Sequence, residues 1–412
     1  RRWGNAKWAG LFGSAIRLAD AGFEVSPRLA EMVSNDAARL RQDAETKAYF
    51  LPTGHPVMAG ETLKNPAYAK TLRELAGRGV GAFYTGSLAK DIVAKVQRNE
   101  TNPGVLAEID LALYSVIERA PVCAAYRGYD ICGMGTPSSG GLTVGMILGM
   151  LEQHDMGTPA DAQAWRLLGD ASRLGFADRG RYIADSDFVP VPSAGLLAKD
   201  YLATRGALLN GSEALTDVQP GQPEFDHSYN LADDEAIELP STSHISIVDS
   251  YGNALSMTTT VENAFGSRLM VGGFLLNNEL TDFSFRSHRN GVPIANRVAP
   301  GKRPRSSMAP TIVLKDGKPV VVVGSPGGSR IIPYVAKTLV AHLDWGFDAQ
   351  RAVALPHLVN RFGGYDVEEG TDAEVMVGPL REMGFEVNTR ALNSGQFGFG
   401  SQQVGIGRSQ PG

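Results

Sequence analysis

A change of hydrophobic period near residue 242 is the feature that most constrains the fold of this chain. From residue 1 to about residue 200 the apolar side chains recur at helical spacing, with amphipathic stretches near 65–97 and 104–120. From Thr242 onward apolar and polar residues alternate, as they do in half-buried strands. The sequence therefore predicts an α+β protein, mainly helical first and with strands later.

The segment just before this change is predicted to be a loop. Glycine, proline, aspartate and glutamate are concentrated at about 206–240, where the aromatic residues are Phe225 and Tyr229. Such a composition favours turns over a packed element, so we expect an exposed and mobile segment.

Two hairpins are predicted after the loop, each from two runs rich in β-forming residues with turn residues between them. Their strands cover residues 244–248, 254–261, 311–314 and 320–323. The Asp316-Gly317 turn joins the second pair. That hairpin leads into the glycine-rich run 324–329, and a helix is predicted from about Ile331.

Turn and capping residues predict two helix starts in the first half. Thr158 is placed to cap a helix whose first residue is Pro159, where no amide donor is needed. Another helix is predicted to follow the turn at 138–141.

Composition narrows the class of partner. The 412 residues carry 44 acidic and 39 basic side chains, a formal net charge of -5, so no overall basic field recruits nucleic acid. We therefore expect a small-molecule substrate.

No apolar run reaches the roughly 18 residues of a membrane-spanning helix. The chain begins at Arg1 without methionine, so we expect the natural N-terminus to lie further upstream.

The two cysteines are predicted to face each other across a hairpin. Two short strands around Arg127-Gly128 would put Cys123 opposite Cys132 in a non-hydrogen-bonded pair. A cross-strand disulfide, which indicates an oxidising compartment, and two buried thiols on one face both remain open.

At the junction of the loop and the first strand, Thr242 is a candidate nucleophile. A threonine hydroxyl does not ionise in ordinary surroundings, but an α-amino group, with a pKa of about 7.7–8.0, is a competent base. A cut between Ser241 and Thr242 would give residue 242 both groups, and its hydroxyl can make that cut by attacking the Ser241 carbonyl. Threonines at strand starts are otherwise ordinary strand formers, so placement alone leaves both interpretations open.

Dense motifs extend the signal from Thr242 along the chain. They occupy residues 126–129, 137–141, 242–249, 252–254, 258–260, 265–267, 276–284, 303–311 and 324–330. In this order and spacing the chain closely resembles the γ-glutamyltransferase family.

The resemblance implies a four-layer αββα sandwich of the N-terminal nucleophile hydrolase type. Residues 1–241 would be the large-subunit portion, incomplete at its N-terminus, and residues 242–412 the small-subunit portion, ending early. The two portions together would form one domain. Autoproteolysis between Ser241 and Thr242 would turn the chain into a heterodimer.

The activity implied is transfer or hydrolysis of γ-glutamyl groups through a γ-glutamyl-Thr242 acyl-enzyme. Glutathione and other γ-glutamyl compounds would be donors, and water, amino acids or peptides would be acceptors. No cofactor is expected, and no metal, because no pair among the seven histidines has convincing ligand spacing. The family usually implies a periplasmic or extracellular location.

The resemblance also assigns roles around the nucleophile. Thr260 matches the residue that hydrogen-bonds it. Glu279 and Asp282 match the residues that hold the substrate α-amino group, and two carboxylates suit an ammonium. Glu262 matches a position near the same charged end. Without the resemblance, an acidic pair near a strand end would be read as solvated surface.

Two further pairs complete the implied site. Ser306 and Ser307 match the residues that grip the α-carboxylate, although as bare sequence they suggest a turn. Gly327 and Gly328 match the backbone amides of the oxyanion hole, as suits glycines before a helix. The same outline is that of a phosphate loop, but neither G-x-x-x-x-G-K-[ST] nor G-x-G-x-x-G is present.

The residues themselves restrict where Thr242 lies. If Asp249 pairs with Ala254 across the turn, Thr242 faces Val261, and if Asp249 pairs with Asn253, Thr242 faces Thr260. Either register brings residue 260 within one step of the nucleophile.

Two other functions remain as alternatives. A cephalosporin acylase would use the same nucleophile on a glutaryl group, where Glu279 and Asp282 would meet no ammonium. A non-catalytic chain that never cleaves itself is the other.

In the family an arginine ahead of the part matching Arg1 clamps the substrate carboxylate, and we expect this chain alone to lack that charge partner.

Overall fold

The structure is a computed structural model that describes residues 4–227, 230–234, 236 and 241–392, together with the backbone of 405–407. The α-helices are α1 (Gly13–Ala21), α2 (Pro27–Leu40), α3 (Ala44–Phe50), α4 (Pro66–Arg78), α5 (Gly81–Tyr84), α6 (Ser87–Gln97), α7 (Glu108–Leu113), α8 (Gly140–Leu151), α9 (Ala162–Tyr182), α10 (Ser193–Leu196), α11 (Lys199–Ala207), α12 (Ile331–Leu343), α13 (Ala349–Ala354) and α14 (Val377–Glu382). The strands are β1 (Phe23–Glu24), β2 (Thr62–Leu63), β3 (Val122–Tyr126), β4 (Tyr129–Gly133), β5 (Thr242–Val248), β6 (Ala254–Thr260), β7 (Met270–Val271), β8 (Phe274–Leu275), β9 (His288–Arg289), β10 (Val292–Pro293), β11 (Thr311–Lys315), β12 (Lys318–Gly324), β13 (Leu358–Asn360), β14 (Tyr365–Glu368), β15 (Val387–Arg390) and β16 (Gly405–Gly407). The predicted order, helices first and strands later, is therefore confirmed.

The chain divides into two compact units. One contains residues 1–118 and 263–278, and the other contains residues 119–262 and 279–412. This division follows packing. The boundary between 1–241 and 242–412 concerns cleavage of the chain, and it stays a prediction.

The first unit is helical, and side chains cap its helix starts. Ser26 accepts from the amide of Leu29 at 3.1 Å ahead of Pro27, and Asn65 accepts from the amide of Tyr68 at 2.9 Å. Its main core is formed by Val25, Val33, Leu40, Phe50, Leu51, Leu63, Phe265 and Met270. Residues from 263–278 thus complete a core that the N-terminal helices begin.

The second unit is built on a five-stranded antiparallel sheet in the order β16-β12-β11-β4-β3. The predicted β11–β12 hairpin turns at Asp316 and Gly317, which have φ of 50° and 74°. Arg127 and Gly128 likewise have φ of 51° and 73° and close the β3–β4 turn. Both turns lie where the sequence predicts them.

A disulfide joins β3 to β4. Cys123 pairs with Cys132 in the register, their Cα atoms are 4.1 Å apart, and their sulfurs are bonded. The predicted facing pair is confirmed, and the alternative of two buried thiols is not what the structure has. Cys123 is exposed on the edge strand.

Helices α8, α9 and α12 cover one face of the large sheet. The core between them includes Ile131, Leu142, Ile147, Leu148, Trp165, Phe176, Val313, Val321, Val323, Ile332, Val335 and Leu339. The α8 helix begins at Gly140, as the turn before it predicts. Gly140 lies so close to Met308 that a Cβ on residue 140 would be 2.3 Å from the Met308 carbonyl oxygen. Glycine at this position therefore allows the helix to reach the loop that carries Ser306 and Ser307.

The β5–β6 hairpin packs against the other face of β12. Because Val321 and Val323 point into the helix-side core, Gly324 belongs to the opposite face, and there it lies against the His244 ring. Ser256 Oγ donates to the carbonyl of Val323 at 3.1 Å. Two β-layers and a helix layer are thus stacked within this unit.

The two faces of this hairpin have opposite chemistry. The face toward β12 carries polar side chains at Thr242, His244, Ser246, Ser256, Thr258 and Thr260. The other face carries Ile245, Ile247, Leu255 and Met257, which are 41–50% exposed. The polar side of the hairpin is therefore the inner one.

A small sheet lies beside α9 and α12 in the same unit. β13 pairs antiparallel with β14, and β14 pairs parallel with β15. Tyr365 on β14 is fully buried and donates to the carbonyl of Trp165 on α9 at 2.8 Å. This bond holds the small sheet against the helix layer.

Several local predictions are wrong. The helix predicted from Thr158 begins at Ala162, because the Asp161 carboxylate accepts from the Thr158 amide at 2.9 Å and closes a turn first. Only Glu108–Leu113 of the stretch 104–120 is helical.

The loop predicted at 206–240 has no regular element after Ala207 among its described residues. Leu231, Ala232 and Asp234 are buried, so this part of it is not exposed, and its mobility stays a prediction. No helix in the described residues is long and apolar enough to cross a membrane.

Candidate active site

Thr242 is the first residue of β5, and it lies directly opposite Thr260 on β6. The amide of Asp249 donates to the carbonyl of Asn253 at 3.0 Å, so the hairpin has the second of the two registers considered above. Both threonines are on the inner face. The predicted nucleophile and its predicted partner are therefore neighbours.

The Thr260 hydroxyl connects the two strands at the predicted cleavage point. Thr260 Oγ1 donates to the carbonyl oxygen of Ser241 at 2.5 Å and accepts from the amide of Glu262 at 2.9 Å. Glu262 has a φ of 73°, which is uncommon for a residue with a side chain. This turn of the backbone directs the Glu262 amide toward Thr260, which leaves the hydroxyl proton for the Ser241 carbonyl.

His244 determines how closely the β5–β6 hairpin packs against β12. Its ring nitrogens lie 2.8 Å from Thr258 Oγ1 and 3.0 Å from Ser246 Oγ, and a Cβ at Gly324 would fall 2.1–2.6 Å from the ring. Burial lowers the pKa of His244 to about 4, so the ring is neutral near pH 7. His244 is thus a packing residue that holds β5, the strand of the predicted nucleophile, on β12.

Three predicted acidic residues form one cluster. Glu279 begins a 3₁₀ turn that ends at Asp282, and it hydrogen-bonds to Asp282 and interacts electrostatically with Glu262. Burial raises the pKa of Glu279, the hydrogen bond with Asp282 opposes the rise, and the charge of Glu262 adds to it. A bound ammonium would offset this concentration of negative charge.

Ser306 and Ser307 belong to a loop that packs against the first turn of α8. Ser306 accepts from both the amide and the hydroxyl of Ser139 at 2.7 Å through its carbonyl oxygen. Ser307 is buried, and its hydroxyl accepts from the Arg179 guanidinium at 2.8 Å. Arg179 also donates to Ser139 Oγ at 2.8 Å. A buried positive charge therefore lies directly behind the two serines.

Asn296 joins the acidic turn to the serine loop. Its side-chain amide donates to the carbonyl of Asp282 at 2.8 Å, and its side-chain oxygen accepts from the amide of Arg305 at 3.0 Å. It is fully buried. The predicted ammonium and carboxylate subsites are thus tied together through one side chain.

Gly327 and Gly328 follow β12 and precede α12. Their φ angles are 140° and 58°, values that glycine adopts without steric cost. Gly328 opens the 3₁₀ turn that leads into α12. Backbone amides at such a turn are suited to an anion because the helix dipole favours negative charge there.

Three residues of this arrangement had no predicted role. Ser139 stands inside a motif but reads as part of a turn, and Asn296 has no distinguishing pattern. Arg179 follows Phe176 and Gly175 at helical spacing on α9, so a cation on a buried stripe was the available signal. Among the described residues no cluster of histidine, cysteine or acidic side chains could hold a metal ion.

The fold matches that of a solved acylase. A crystal structure of cephalosporin acylase from Bacillus halodurans superposes with a TM-score of 0.83 at 23% identity, covering 99% of this chain and 74% of that one. The fold class is that of the αββα N-terminal nucleophile hydrolases, as predicted, and the described residues form its two β-layers and one of its helix layers.

Sequence comparison identifies the family within that class. The model of the γ-glutamyltranspeptidases matches residues 1–406. The glutathione hydrolase proenzyme of Bacillus subtilis is 36% identical over 96% of this chain and 67% of its own length. That of Escherichia coli is 37% identical over 83% of this chain and 59% of its own length. The chain belongs to the γ-glutamyltranspeptidase family.

Proposed function

We propose that the protein cleaves γ-glutamyl amide bonds, with glutathione as a substrate, through an acyl-enzyme on Thr242. The observation that carries this proposal is the hydrogen bond from Thr260 to the carbonyl of Ser241, directly across from Thr242. The relatives from B. subtilis and E. coli bear the name glutathione hydrolase proenzyme, which supports both the substrate and a processed chain.

Self-cleavage precedes turnover in this proposal. The Thr242 oxygen adds to the Ser241 carbonyl carbon, the C–N bond between the two residues breaks, and the proton of the Thr242 hydroxyl passes to the departing nitrogen, which becomes the free α-amine. Thr260 polarises the carbonyl and stabilises the charge on its oxygen. Water then hydrolyses the resulting ester, which leaves a carboxylate on Ser241 and restores the Thr242 hydroxyl.

Turnover uses the amine released by cleavage. It accepts the proton of the Thr242 hydroxyl as the oxygen attacks the γ-carbonyl carbon, and it returns a proton to the departing amine. The amides of Gly327 and Gly328 donate to the oxyanion. Water or an acceptor amine then takes the γ-glutamyl group and frees Thr242.

The substrate class follows from the charged groups around the site. Glu262, Glu279 and Asp282 suit an α-ammonium, and their mutual interaction favours a cation there. Ser306 and Ser307, with Arg179 behind them, suit the α-carboxylate. Both charges are present on a γ-glutamyl group.

Cephalosporin acylase activity is the second candidate, because the acylase relative of Pseudomonas sp. (strain SE83) is 33% identical to this chain. A glutaryl side chain carries no α-ammonium. It would leave the three carboxyl groups facing methylene hydrogens, which is electrostatically unfavourable. The acidic cluster therefore favours the γ-glutamyl substrate.

Processing would give two subunits, residues 1–241 and 242–412, that stay together as a heterodimer. The Cys123–Cys132 disulfide favours an oxidising compartment, since cytosolic thiols are kept reduced. We therefore propose a periplasmic or extracellular enzyme.

A denaturing gel tests the nucleophile. The protein expressed from its complete gene should give two bands, and Thr242→Ala should give one of intact mass. Intact mass in both would leave the non-catalytic interpretation. Processed protein should then hydrolyse γ-glutamyl-anilide faster than glutaryl-anilide by about a hundredfold, the loss expected when hydrogen bonds to a charged group are removed. The reverse preference would establish the acylase.

A further inference from the structure

One buried carboxylate in the small sheet binds three arginines. Asp366 on β14 accepts from Arg330 at 2.9 Å, and it forms ion pairs with Arg390 at 2.9 Å and with Arg361 at 3.5 Å. The Asp366 side chain is 8% exposed. A carboxylate this well paired acts as a fixed anchor for the side chains it holds.

Two of those arginines restrain the glycine-rich turn. Arg330 is the last residue of the 3₁₀ turn that Gly328 begins. Arg361 donates to the hydroxyl of Ser329, the residue between them, at 2.5 Å. Asp366 is therefore connected to Gly328-Ser329-Arg330 both through a side chain of the turn and through a hydrogen bond to its middle residue.

We propose that Asp366 is a positioning residue for the oxyanion site. This inference rests on the proposed function, since it assumes that the amides of Gly327 and Gly328 donate to the oxyanion. Two consecutive glycines with positive φ have the greatest backbone freedom in the chain segment, so their amides point in one direction only if their neighbours are held. Asp366, through Arg330 and Arg361, holds the residues next to these glycines from outside the substrate site.

The third arginine provides a control inside the same cluster. Arg390 pairs with the other carboxylate oxygen, its side chain is 55% exposed, and it belongs to β15 rather than to the turn. Removing it takes away one ion pair and leaves the connection to Arg330 and Ser329 intact. Arg390→Ala should therefore have little effect on transition-state binding.

The opposite end of α12 provides a control for stability. Asp344 follows the last residue of α12 and pairs with Arg127 at 2.8 Å, and its side chain is 8% exposed, like that of Asp366. Asp344→Asn removes a comparably buried carboxylate at the far end of α12 from the glycine-rich turn and leaves that turn untouched. It should lower the melting temperature but not the affinity for a tetrahedral adduct.

The test compares two ligands on the processed protein. A boronic acid that replaces the γ-carboxyl of glutamate forms a tetrahedral adduct with a threonine oxygen, whereas glutamate itself measures ground-state binding. Asp366→Asn should weaken the boronic acid by about tenfold to a hundredfold, as for a displaced oxyanion donor, and change glutamate binding less than about twofold. Ser329→Ala, which removes only the hydroxyl, should weaken the boronic acid by about threefold.

Each outcome decides something. Unchanged boronic acid affinity in Asp366→Asn, or an equal loss in Asp344→Asn, overturns the positioning role. If Asp366→Asn fails to fold, an unchanged affinity in Ser329→Ala overturns it instead. If the wild-type protein binds no boronic acid, the proposed function itself fails, which is a separate result.

Discussion

The two faces of the β5–β6 hairpin differ in a way that reverses the usual relation between polarity and burial. The inner face presents threonine, serine and histidine to β12, and the outer face presents Ile245, Ile247, Leu255 and Met257 to solvent. In most two-sided sheets the apolar face is the packed one. Here the packed face is the polar one, and it carries the proposed nucleophile, Thr242.

The reversal shows what organises the site. The inner face is held by directed contacts, such as Ser256 to Val323 and His244 to Thr258, and not by apolar burial. Directed contacts fix the position of Thr242 more narrowly than apolar packing would. The outer face adds exposed apolar area that contributes little to the stability of the described chain.

The largest effect is expected where the inner face is closest to the sheet. Gly324→Ala should destabilise the protein by about 3 kcal/mol, because the new Cβ would lie 2.1–2.6 Å from the His244 ring. Gly378→Ala is the matched control, since a Cβ there meets nothing within 4 Å. Chemical denaturation measures both. A loss below about 1 kcal/mol for Gly324→Ala would mean that the hairpin shifts freely on the sheet.

The next effect concerns the chemistry of the inner face. Thr260→Val should slow self-cleavage by about a hundredfold, because it removes the donor to the Ser241 carbonyl and keeps the side-chain shape. Thr260→Ser retains a hydroxyl and should cleave at a rate within about tenfold of wild type. A time course on a denaturing gel gives the rates. Equal rates for the valine and serine variants would exclude this role of Thr260.

The inner face should also respond to acid. Since burial lowers the pKa of His244 to about 4, the unfolded state binds a proton more readily below its own pKa of about 6.5. Stability from this residue is therefore complete above about pH 6.5 and is lost as the pH falls toward 4. With an allowance for partial exposure, the loss is about 1–2 kcal/mol.

Comparison with His244→Gln isolates this contribution, because the buried His357, whose pKa burial also lowers, stays in both proteins. Free energies of unfolding at pH 7.5 and pH 4.5 should differ less in the variant than in wild type. An identical pH dependence in both proteins would show that His244 gains a proton in the folded state as easily as in the unfolded one.

Local sequence predicted the elements of this site but not the choice between registers. Asp249 and Asn253 alone allow two pairings. The structure selects one because the Asp249 carboxylate accepts from the amides of Tyr251 and Asn253, both at 2.9 Å, which closes a turn that puts Thr242 opposite Thr260. The alternation of apolar and polar residues cannot distinguish two pairings that differ by one residue within a five-residue turn.

Contacts between residues far apart in the sequence could not be predicted from local sequence patterns. The contacts of Arg179 with Ser139 and Ser307 join residues 40 and 128 positions apart in the sequence. A helical period places Arg179 on the buried face of α9 but does not say what it meets there. The same limit explains why the carboxylate of Asp366 was not connected with the glycine-rich turn in advance.

The smallest effect is expected on the outer face, and it tests the comparison from the other side. Ile247 is 50% exposed, so Ile247→Thr, which keeps a β-branched side chain in the strand, should change the free energy of unfolding by less than about 0.5 kcal/mol. Light scattering should show less self-association, because an apolar patch is reduced. Ile131, buried at 3% exposure in the large sheet, is the matched site, and Ile131→Thr should cost more than about 2 kcal/mol. If Ile247→Thr costs as much as Ile131→Thr, the outer face is packed in solution, and the hairpin is an inner layer with chemistry on one side and a core on the other.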